Sequence, residues 1–269
     1  MSQHHAYHLL VAGCGTVGLA CTRELAKTDS APGIASLTLV DRCDIREPNA
    51  ITCPPYAGHV GRPKSQRLAE LASEWLPRSA PIRWLRASVE TMPWPQLLAS
   101  LGDGAPLIAV AGLDDWDSRV TLVADLRRAA AEATMHAAII QCGLDRGQAQ
   151  VAVFSADWSD PCPACGLNVL PEPDACVAYD AAGQLLRGDL QREARAAAQL
   201  VAEIVADLLR PSAAGRGWTN TKTNLTAEAG GANGFRRFTH TARRQPGCLG
   251  PHSPVGPLRW GREKAAAAS

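Results

Sequence analysis

Gly13-Cys14-Gly15-Thr16-Val17-Gly18 follows the apolar run Leu9–Ala12 and leads into a helical pattern that begins at Leu19. A buried strand that turns through Gly-x-Gly-x-x-Gly into a helix is typical of nucleotide-binding α/β domains. Gly13 permits the turn, Gly15 lets the backbone approach a phosphate, and Gly18 lets the helix pack closely on the strand. The N-terminus of that helix offers unpaired N–H groups and a positive dipole end to an anion.

A second apolar run, Ile34–Val40, ends at Asp41, whose carboxylate is placed to accept a hydrogen bond from a nucleotide ribose. A loop containing Asp44, Arg46, Pro48 and Asn49 is predicted next. Further strands are predicted at Ile82–Arg86, Leu107–Ala111, Ala138–Gln141 and Ala149–Phe154, and helices after Pro63, over Trp94–Leu101 and from Asp114 to about Thr134. This alternation predicts an α/β fold with a doubly wound, mostly parallel, Rossmann-like sheet.

The composition changes after residue 155. A stretch rich in proline and cysteine, 160–176, precedes a strong helical pattern over Leu190–Leu209. Two strands are predicted beyond it, Trp218–Ala227 and Phe235–Ala242, joined by a glycine-rich turn at 230–234. We therefore expect a nucleotide-binding domain over 1–155, a zinc-stapled extension with antiparallel strands that completes the same domain over 156–262, and a flexible tail over 263–269.

The chain has 269 residues, 46% of them hydrophobic, and a formal net charge of +1. That length and apolar fraction suffice for one α/β domain with a modest extension. The small net charge gives no reason to expect nucleic acid or a membrane as partner, and no apolar run approaches the roughly 20 residues of a membrane span. Because no secretory signal pattern is present, we expect a cytoplasmic protein.

Nine cysteines are an odd number, and without a secretion signal they do not predict a disulfide framework. Cys14 and Cys21 are interpreted as small buried thiols in the region of the glycine loop.

Four residues of the second half have metal-ligand spacing. Cys162 and Cys165 are separated as two thiolates that hold one zinc ion from a tight turn. Cys248 and His252 would complete a Cys3His tetrahedron and tie the C-terminal segment to the domain. The alternatives are a redox pair, or bystander cysteines with His252 on the surface.

Two charged residues each admit two interpretations. Lys64 opens the helix after Pro63, either as a solvated first-turn lysine or as a cation that reaches triphosphate oxygens. Asp114 follows a predicted strand at the sheet edge where open α/β folds bind ligands. It either coordinates Mg2+ or caps the next helix, a role for which Asp115 and Asp117 compete.

Further short motifs follow the glycine loop in a fixed order. They are Leu37–Asp41 with Asp44, Pro48-Asn49, Val60–Lys64, Leu113–Asp115 with Arg119, Gly143 with Gly147–Val151, and Pro161–Cys165. Each is modest alone, but in this order and at this spacing they are specific. From about Leu9 to His252 the chain resembles the ThiF/MoeB/HesA family of adenylyltransferases, a superfamily that includes the ubiquitin-activating enzymes.

The resemblance implies ATP-dependent activation of a carboxylate, usually the C-terminal glycine of a small ubiquitin-like or sulfur-carrier protein. The carboxylate would attack the α-phosphorus and expel pyrophosphate, and the acyl adenylate would then accept a thiol or another nucleophile. Such catalysis consists mainly of positioning and charge neutralisation. Relatives commonly form dimers, and we expect a homodimer or heterodimer.

The resemblance also implies roles for individual residues. Gly15 and Thr16 would approach the nucleotide, and Asp41 would hold the ribose. Asn49 and Lys64 would contact the phosphates, and Asp114 would hold Mg2+. The nucleotide-binding set is then Gly13, Gly15, Thr16, Gly18, Asp41, Asn49, Lys64, Asp114, Asp115 and Arg119, and the catalytic set is Lys64, Asp114, Arg46 and Cys176.

The chain departs from the family pattern in four places. Thr16 replaces a usual glycine, and Thr52 stands where an arginine is expected. The first strand begins almost at once, so we expect the usual preceding helix, with its arginine reaching across a dimer, to be absent. Arg46, three residues before Asn49, is the candidate to substitute for the missing arginine. Arginine fingers in other phosphoryl transfers contribute about 10³–10⁵ to the rate, so the loss of such cations would weaken catalysis. The second zinc knuckle is C-x3-H instead of C-x2-C.

Cys176 lies in the crossover stretch where some relatives place a thiol that forms a thioester or persulfide. A reactive thiolate needs nearby positive charge, and no basic residue adjoins Cys176 in sequence, so a buried or idle cysteine is the alternative. Two other functions stay open for the chain: a catalytically weak or inactive nucleotide-binding scaffold in a heteromeric complex, and a nicotinamide-dependent dehydrogenase. The dehydrogenase leaves Lys64, Asp114 and the cysteine pair without a role.

Overall fold

The computed structural model describes residues 6–29, 31–77, 80–101, 104–145, 148–166, 188–210, 220–227, 235–243 and 248. Within these residues the strands are β1 (Tyr7–Ala12), β2 (Ile34–Val40), β3 (Ile82–Leu85), β4 (Leu107–Ala111), β5 (Ala137–Asp145), β6 (Gln148–Ser155), β7 (Thr221–Ala227) and β8 (Phe235–Thr241). The α-helices are α1 (Thr16–Ala26), α2 (Glu47–Thr52), α3 (Lys64–Trp75), α4 (Trp94–Ala99), α5 (Trp116–Glu132), α6 (Pro163–Gly166) and α7 (Gly188–Leu208).

All eight strands belong to one sheet, in the order β3-β2-β1-β4-β5-β6-β7-β8. The five strands from β3 to β5 are parallel, and β6, β7 and β8 continue the sheet in antiparallel pairing. The chain first moves outward from β1 to β2 and β3, and then returns to the other side of β1 to form β4. This order makes the boundary between β1 and β4 the topological switch point, where open α/β sheets bind ligands.

Helices cover both faces of the parallel strands because successive strand residues point to opposite sides. In β1, Leu9 and Val11 join the apolar layer that also contains residues of α1, α3 and α7. Leu10 and Ala12 join the opposite layer, with residues of α4 and α5. The near-continuous apolar composition of β1 and β4 follows from burial on both faces.

The segment after Asp41 contains the short helix α2, where the sequence predicts only a loop. Its first turn is stabilised locally, because the Arg46 backbone N–H donates to Asn49 Oδ1 at 3.1 Å. At its end, the Thr52 hydroxyl donates to the Pro48 carbonyl at 3.0 Å. Such side-chain bonds to nearby backbone carry little signal in a hydrophobic pattern, which is why the helix is missed.

The remaining predicted helices and strands are present within the described residues, and the predicted α/β fold with its antiparallel C-terminal strands is confirmed. The turn at 230–234, Trp218 and the tail over 263–269 lie outside those residues. The proposed division of the chain at residue 155 stays a prediction. Every helix in the described ranges is too short or too polar to cross a membrane.

Candidate functional site

The glycine loop lies at the switch point of the sheet and is held there from two sides. Gly13 N–H donates to the Val40 carbonyl of β2 at 2.8 Å, and Gly112 N–H, just beyond β4, donates to the Ala12 carbonyl at 2.8 Å. The loop after β1 and the loop after β4 are therefore fixed against each other at the carboxyl edge of the sheet.

The three glycines of the loop differ in what a side chain would meet. Gly13 has φ +87°, and a Cβ there would lie 2.5 Å from the Gly112 carbonyl oxygen. A Cβ on Gly18 would lie 2.0 Å from the Gly13 carbonyl oxygen. A Cβ on Gly15 would meet no atom within 4 Å, and its φ of −78° suits any residue. The fold thus requires glycine at 13 and 18, whereas position 15 faces open space.

The start of α1 suits an anion. Gly15 is its N-cap and gives no side-chain hydrogen bond to the first turn, which also contains no acidic residue. The N–H groups of the first turn and the positive end of the helix dipole are therefore not neutralised by the helix itself. Thr16, which stands where a glycine is usual, contacts Cys53 Sγ through its hydroxyl at 3.2 Å, so its side chain joins α1 to the end of α2.

Asp41 is oriented by two backbone amides. Its Oδ2 accepts from Cys14 N–H at 2.7 Å, and its Oδ1 accepts from Cys43 N–H at 2.7 Å. Each carboxylate oxygen keeps a further lone pair for another donor. The Cys43 carbonyl in turn accepts from Lys64 N–H at 3.1 Å, which connects the carboxylate to the start of α3.

Lys64 is positioned by two backbone hydrogen bonds between the segments on either side of α2. Ile45 N–H donates to the Arg62 carbonyl and Gly61 N–H donates to the Ile45 carbonyl, both at 2.8 Å. The lysine is only 6% exposed. Within the described part of the chain its ammonium makes no hydrogen bond or ion pair. Its side chain is buried while the ammonium keeps access to solvent, so this charge is available to an anion.

The charge of Lys64 acts on the thiols of the glycine loop and α2. Burial and the charge of Asp41 raise the pKa of the Cys14 thiol, while the Lys64 ammonium opposes that rise. Burial also raises the pKa of Cys53, against hydrogen bonds from Thr16 and Thr52 and the charge of Lys64. Lys64 is therefore within electrostatic range of the loop that begins α1.

The two adjacent acids after β4 have different environments. Asp115 is the N-cap of α5, and its Oδ1 accepts from Ser118 N–H at 2.7 Å. Asp114 is exposed, and among the described residues its carboxylate accepts no hydrogen bond. Because Asp115 performs the capping role, the carboxylate of Asp114 stays available to a ligand at the sheet edge.

Arg119 binds two neighbouring segments of the scaffold. Its Nε donates to the Leu113 carbonyl at 2.8 Å, and Nη2 reaches the Cys142 carbonyl at 3.5 Å. Its own carbonyl accepts from Gln141 Nε2 at 2.8 Å. Arg119 thereby connects the loop that bears Asp114 to β5, and its predicted contact with a nucleotide stays a prediction.

The resemblance leads us to expect an arginine at position 52, where this chain has the uncharged Thr52. Thr52 is 4% exposed, and its hydroxyl donates to the Pro48 backbone carbonyl. Its own carbonyl accepts from Gln191 Nε2 of α7 at 2.9 Å. Arg46 is exposed at the start of α2. Asn49 accepts a backbone N–H at Oδ1, so its Nδ2 is the group left to donate to an anion.

Three of the four predicted metal ligands lie together. The ligand atoms of Cys162, Cys165 and Cys248 are all within 4.8 Å of one another. Cys162 Sγ is 3.9 Å from Cys165 Sγ and 3.7 Å from Cys248 Sγ. Tetrahedral zinc with Zn–S bonds of about 2.3 Å separates its sulfurs by about 3.8 Å. The cluster therefore fits a metal, whereas a disulfide requires sulfurs about 2.05 Å apart.

Burial raises the pKa of the Cys162 thiol, and the neighbouring Cys248 and Cys165 raise it further. Crowded sulfurs of this kind favour a cation that shares their charge. His252 and Cys176, the fourth predicted metal ligand and the predicted reactive thiol, lie outside the described residues.

Three residues with clear contacts are missed by the sequence analysis. The Tyr56 hydroxyl donates to the Cys14 carbonyl of the glycine loop, and Cys53 contacts Thr16. No pattern in the sequence signals either contact. Arg127 is fully buried beside the cysteine cluster. The sequence does indicate that Arg127 is buried, because it occupies an apolar position of α5, at helical spacing from Val120 and Ala130.

Comparison with solved structures shows the same fold at low sequence identity. PaaA is 17% identical, with a TM-score of 0.56, 89% of this chain covered and 65% of that chain. Escherichia coli MccB with ATP is 15% identical, with a TM-score of 0.57 and coverages of 90% and 65%. The microcin C7 biosynthetic enzyme MccB, in complex with N-formylated MccA, is 14% identical, with a TM-score of 0.55 and coverages of 90% and 66%.

The chain thus spans about two thirds of the length of these structures. No protein-family model matches the sequence, and no curated protein matches it. At these identities the comparison shows a shared fold, which agrees with the fold implied by the order of the sequence motifs.

Proposed function

We propose that the chain is an ATP- and Mg2+-dependent adenylyltransferase that activates the C-terminal carboxylate of a peptide or small protein. The observation that carries this proposal is the pairing of open space at Gly15 with the ammonium of Lys64, which has no hydrogen-bond or ion-pair partner among the described residues. Gly15 belongs to the glycine loop, and Lys64 is within electrostatic range of Cys14 in the same loop. Together they form a cradle for a polyphosphate.

In this proposal each polar group of the crevice has one task. The N–H groups of α1 and the Lys64 ammonium neutralise the phosphates, and Asn49 Nδ2 donates to a phosphate oxygen. Asp41 keeps a lone pair for a ribose hydroxyl. Asp114 is the ligand for Mg2+, since hard carboxylate oxygens suit that ion.

The reaction is an in-line displacement at the α-phosphorus. A carboxylate oxygen of the substrate forms the new bond to phosphorus, the bond to the bridging oxygen breaks, and pyrophosphate leaves with the electron pair. The products are an acyl adenylate and magnesium pyrophosphate. Cations at the phosphates lower the barrier because negative charge moves onto the leaving group.

A protein or peptide substrate is supported by the neighbouring structures, one of which holds MccB together with N-formylated MccA. For this chain we propose a small ubiquitin-like or sulfur-carrier protein that ends in glycine, with the acyl group passed to a thiol, sulfur or amine. We also propose that the active unit is a homodimer or heterodimer. We also propose a cytoplasmic location, and it is supported by cysteines that form no disulfide within the described residues.

Zinc is proposed as the metal of the cysteine cluster, with His252 as the fourth ligand. Thiolate ligands at tetrahedral spacing are typical of structural zinc. In that role the ion would hold residue 248 to the loop after β6 and take no part in phosphoryl transfer.

A second candidate function is a nucleotide-binding scaffold with little or no catalysis. It is favoured by Thr52, which is buried and neutral at the position where the resemblance leads us to expect an arginine. A scaffold of this kind would bind MgATP but would not form an adenylate.

Calorimetry with MgATP, followed by ATP–pyrophosphate exchange with peptides ending in Gly-Gly, tests both functions. The enzyme should bind MgATP and catalyse exchange that depends on the peptide, and Lys64→Met should reduce exchange by about 10²–10³-fold. Lys27→Met, which removes an exposed lysine paired with Glu24, is the matched control and should leave exchange unchanged. Binding without exchange supports the scaffold, and tight dinucleotide binding without MgATP binding contradicts both.

A further inference from the structure

Arg127 lies between the core of the domain and the cysteine cluster. It belongs to α5 and is fully buried. Its Nε donates to the Ser155 carbonyl at the end of β6 at 3.1 Å. Its Nη2 donates to the carbonyls of Asp160 at 3.4 Å and Pro161 at 2.8 Å. One side chain therefore fixes the backbone from the end of β6 to the residue that precedes Cys162.

The same guanidinium interacts electrostatically with the sulfurs. Cys162 and Cys165 lie within its electrostatic range, together with Asp160 and Asp157. Three thiolates and a neutral fourth ligand on a divalent ion leave a net charge of −1. A fixed positive charge beside such a centre stabilises it, and this stabilisation is large where water is excluded.

We propose that Arg127 is a positioning residue of the metal centre, which holds the loop of Cys162 in its ligating geometry and compensates the negative charge of the metal–thiolate group. The inference rests on the proposed metal centre and adds to it a residue outside the ligand set. It also supplies a physical connection between the cysteine cluster and α5, the helix whose N-terminus follows Asp114 at the nucleotide crevice.

The inference accounts for an arginine in an apolar position of α5. Hydrogen bonds to carbonyls alone would fix the loop, but a neutral donor would serve that purpose as well. The positive charge of Arg127 adds to this only when the two cysteines are thiolates on a metal, because it then stabilises their negative charge. A purely structural role and a role at the metal centre therefore differ in how they depend on the metal.

The test measures zinc affinity by competition with a chromogenic chelator and Co2+ ligation by its thiolate absorption. Arg127→Gln should bind zinc about 10–100-fold more weakly than the native protein. Arg127→Lys keeps the positive charge but lacks the planar guanidinium, and should lose less zinc affinity than Arg127→Gln. Arg128→Gln, which removes the neighbouring half-exposed arginine, is the matched control and should bind zinc normally. A folded Arg127→Gln protein with native zinc affinity overturns the inference.

Unfolding of the loaded and stripped proteins separates the two roles. If Arg127 acts on the metal centre, Arg127→Gln destabilises the loaded protein more than the stripped protein. Equal destabilisation of both forms indicates a structural role only and contradicts the inference. A native protein that binds no zinc contradicts the metal centre itself, which is a different outcome.

Hydrogen exchange on the native protein provides a readout that does not depend on a variant that folds. Removal of the metal should raise amide exchange at residues 155–161 and in the turn of α5 around Arg127, and leave α1 unchanged. Unaltered exchange in α5 after complete metal removal overturns the inference.

Discussion

A methyl group added to the glycine loop meets empty space at Gly15 and a backbone carbonyl at Gly18. A substitution at Gly15 is therefore expected to affect ligand binding, and the same substitution at Gly18 is expected to affect folding. Gly15→Ala should retain the native unfolding temperature and weaken MgATP binding by about 10²-fold, because the methyl group displaces the phosphates from the N–H groups of α1. Calorimetric titration checks the affinity.

Gly18→Ala is the matched comparison. Its added Cβ cannot avoid the Gly13 carbonyl without a shift of the backbone, so we expect a loss of about 1–3 kcal/mol in the free energy of unfolding. Urea denaturation measures the loss. Native affinity in Gly15→Ala would show that no phosphate approaches this position.

The adjacent residues Asp114 and Asp115 are likewise expected to differ, one affecting activity and the other stability. Asp115→Ala removes the N-cap of α5 and should cost about 1 kcal/mol of stability. Asp114→Asn should change stability by less than about 0.5 kcal/mol, because the side chain is exposed, yet abolish Mg2+-dependent exchange. The reverse pattern, an unstable Asp114 variant and an inactive Asp115 variant, would contradict these assignments.

At the scale of the elements, Arg119 joins the loop after β4 to β5. Arg119→Ala removes its bonds to the Leu113 and Cys142 carbonyls and should lower the free energy of unfolding by about 1–3 kcal/mol. Nucleotide binding should also weaken, because the loop that bears Asp114 loses its support. Arg128→Ala is the control on the same helix, and its half-exposed pair with Asp125 should contribute less than about 1 kcal/mol.

The elements also differ in how well the sequence predicts them. The strand β1 and the helix α1 follow from an apolar run and a glycine motif, both of which are local signals. The helix α2 depends on a bond from the Arg46 backbone to Asn49 and on the contact of Gln191 with Thr52. The second of these joins residues 139 positions apart, which no local pattern encodes.

At the scale of the whole molecule, the cysteine cluster closes a large loop. Cys162 and Cys248 are 86 positions apart, and a crosslink across such a span corresponds to about 4–5 kcal/mol in the chain-entropy account. Stripping the metal with a chelator should therefore lower the unfolding temperature and speed proteolysis of the region after α7. Scanning calorimetry with and without chelator, followed by zinc restoration, measures the effect.

Two cysteine variants provide the control for this experiment. Cys165→Ser should lose the metal and behave like the stripped protein, since structural zinc contributes folding free energy. Cys43→Ser changes a half-exposed cysteine outside the cluster and should keep the metal and its stability. Equal zinc content in both variants would contradict the cluster as a metal centre.

The sequence by itself determined the α/β class, the glycine loop and the cysteine spacing. Buried strands are continuous apolar runs, sharp turns need glycine, and a C-x2-C pair is local, so each of these features is encoded by adjacent residues. It also indicated Asp41, at the end of a predicted strand, and Lys64, at the start of a predicted helix.

Only the tertiary structure decided which acid after β4 caps the helix, that Gly15 faces open space, and that Cys248 meets Cys162. It also placed Arg127 beside the cysteines. These facts depend on distances between residues remote in sequence. Such distances are fixed only when the sheet order brings the loops together and burial selects a partner for every polar group.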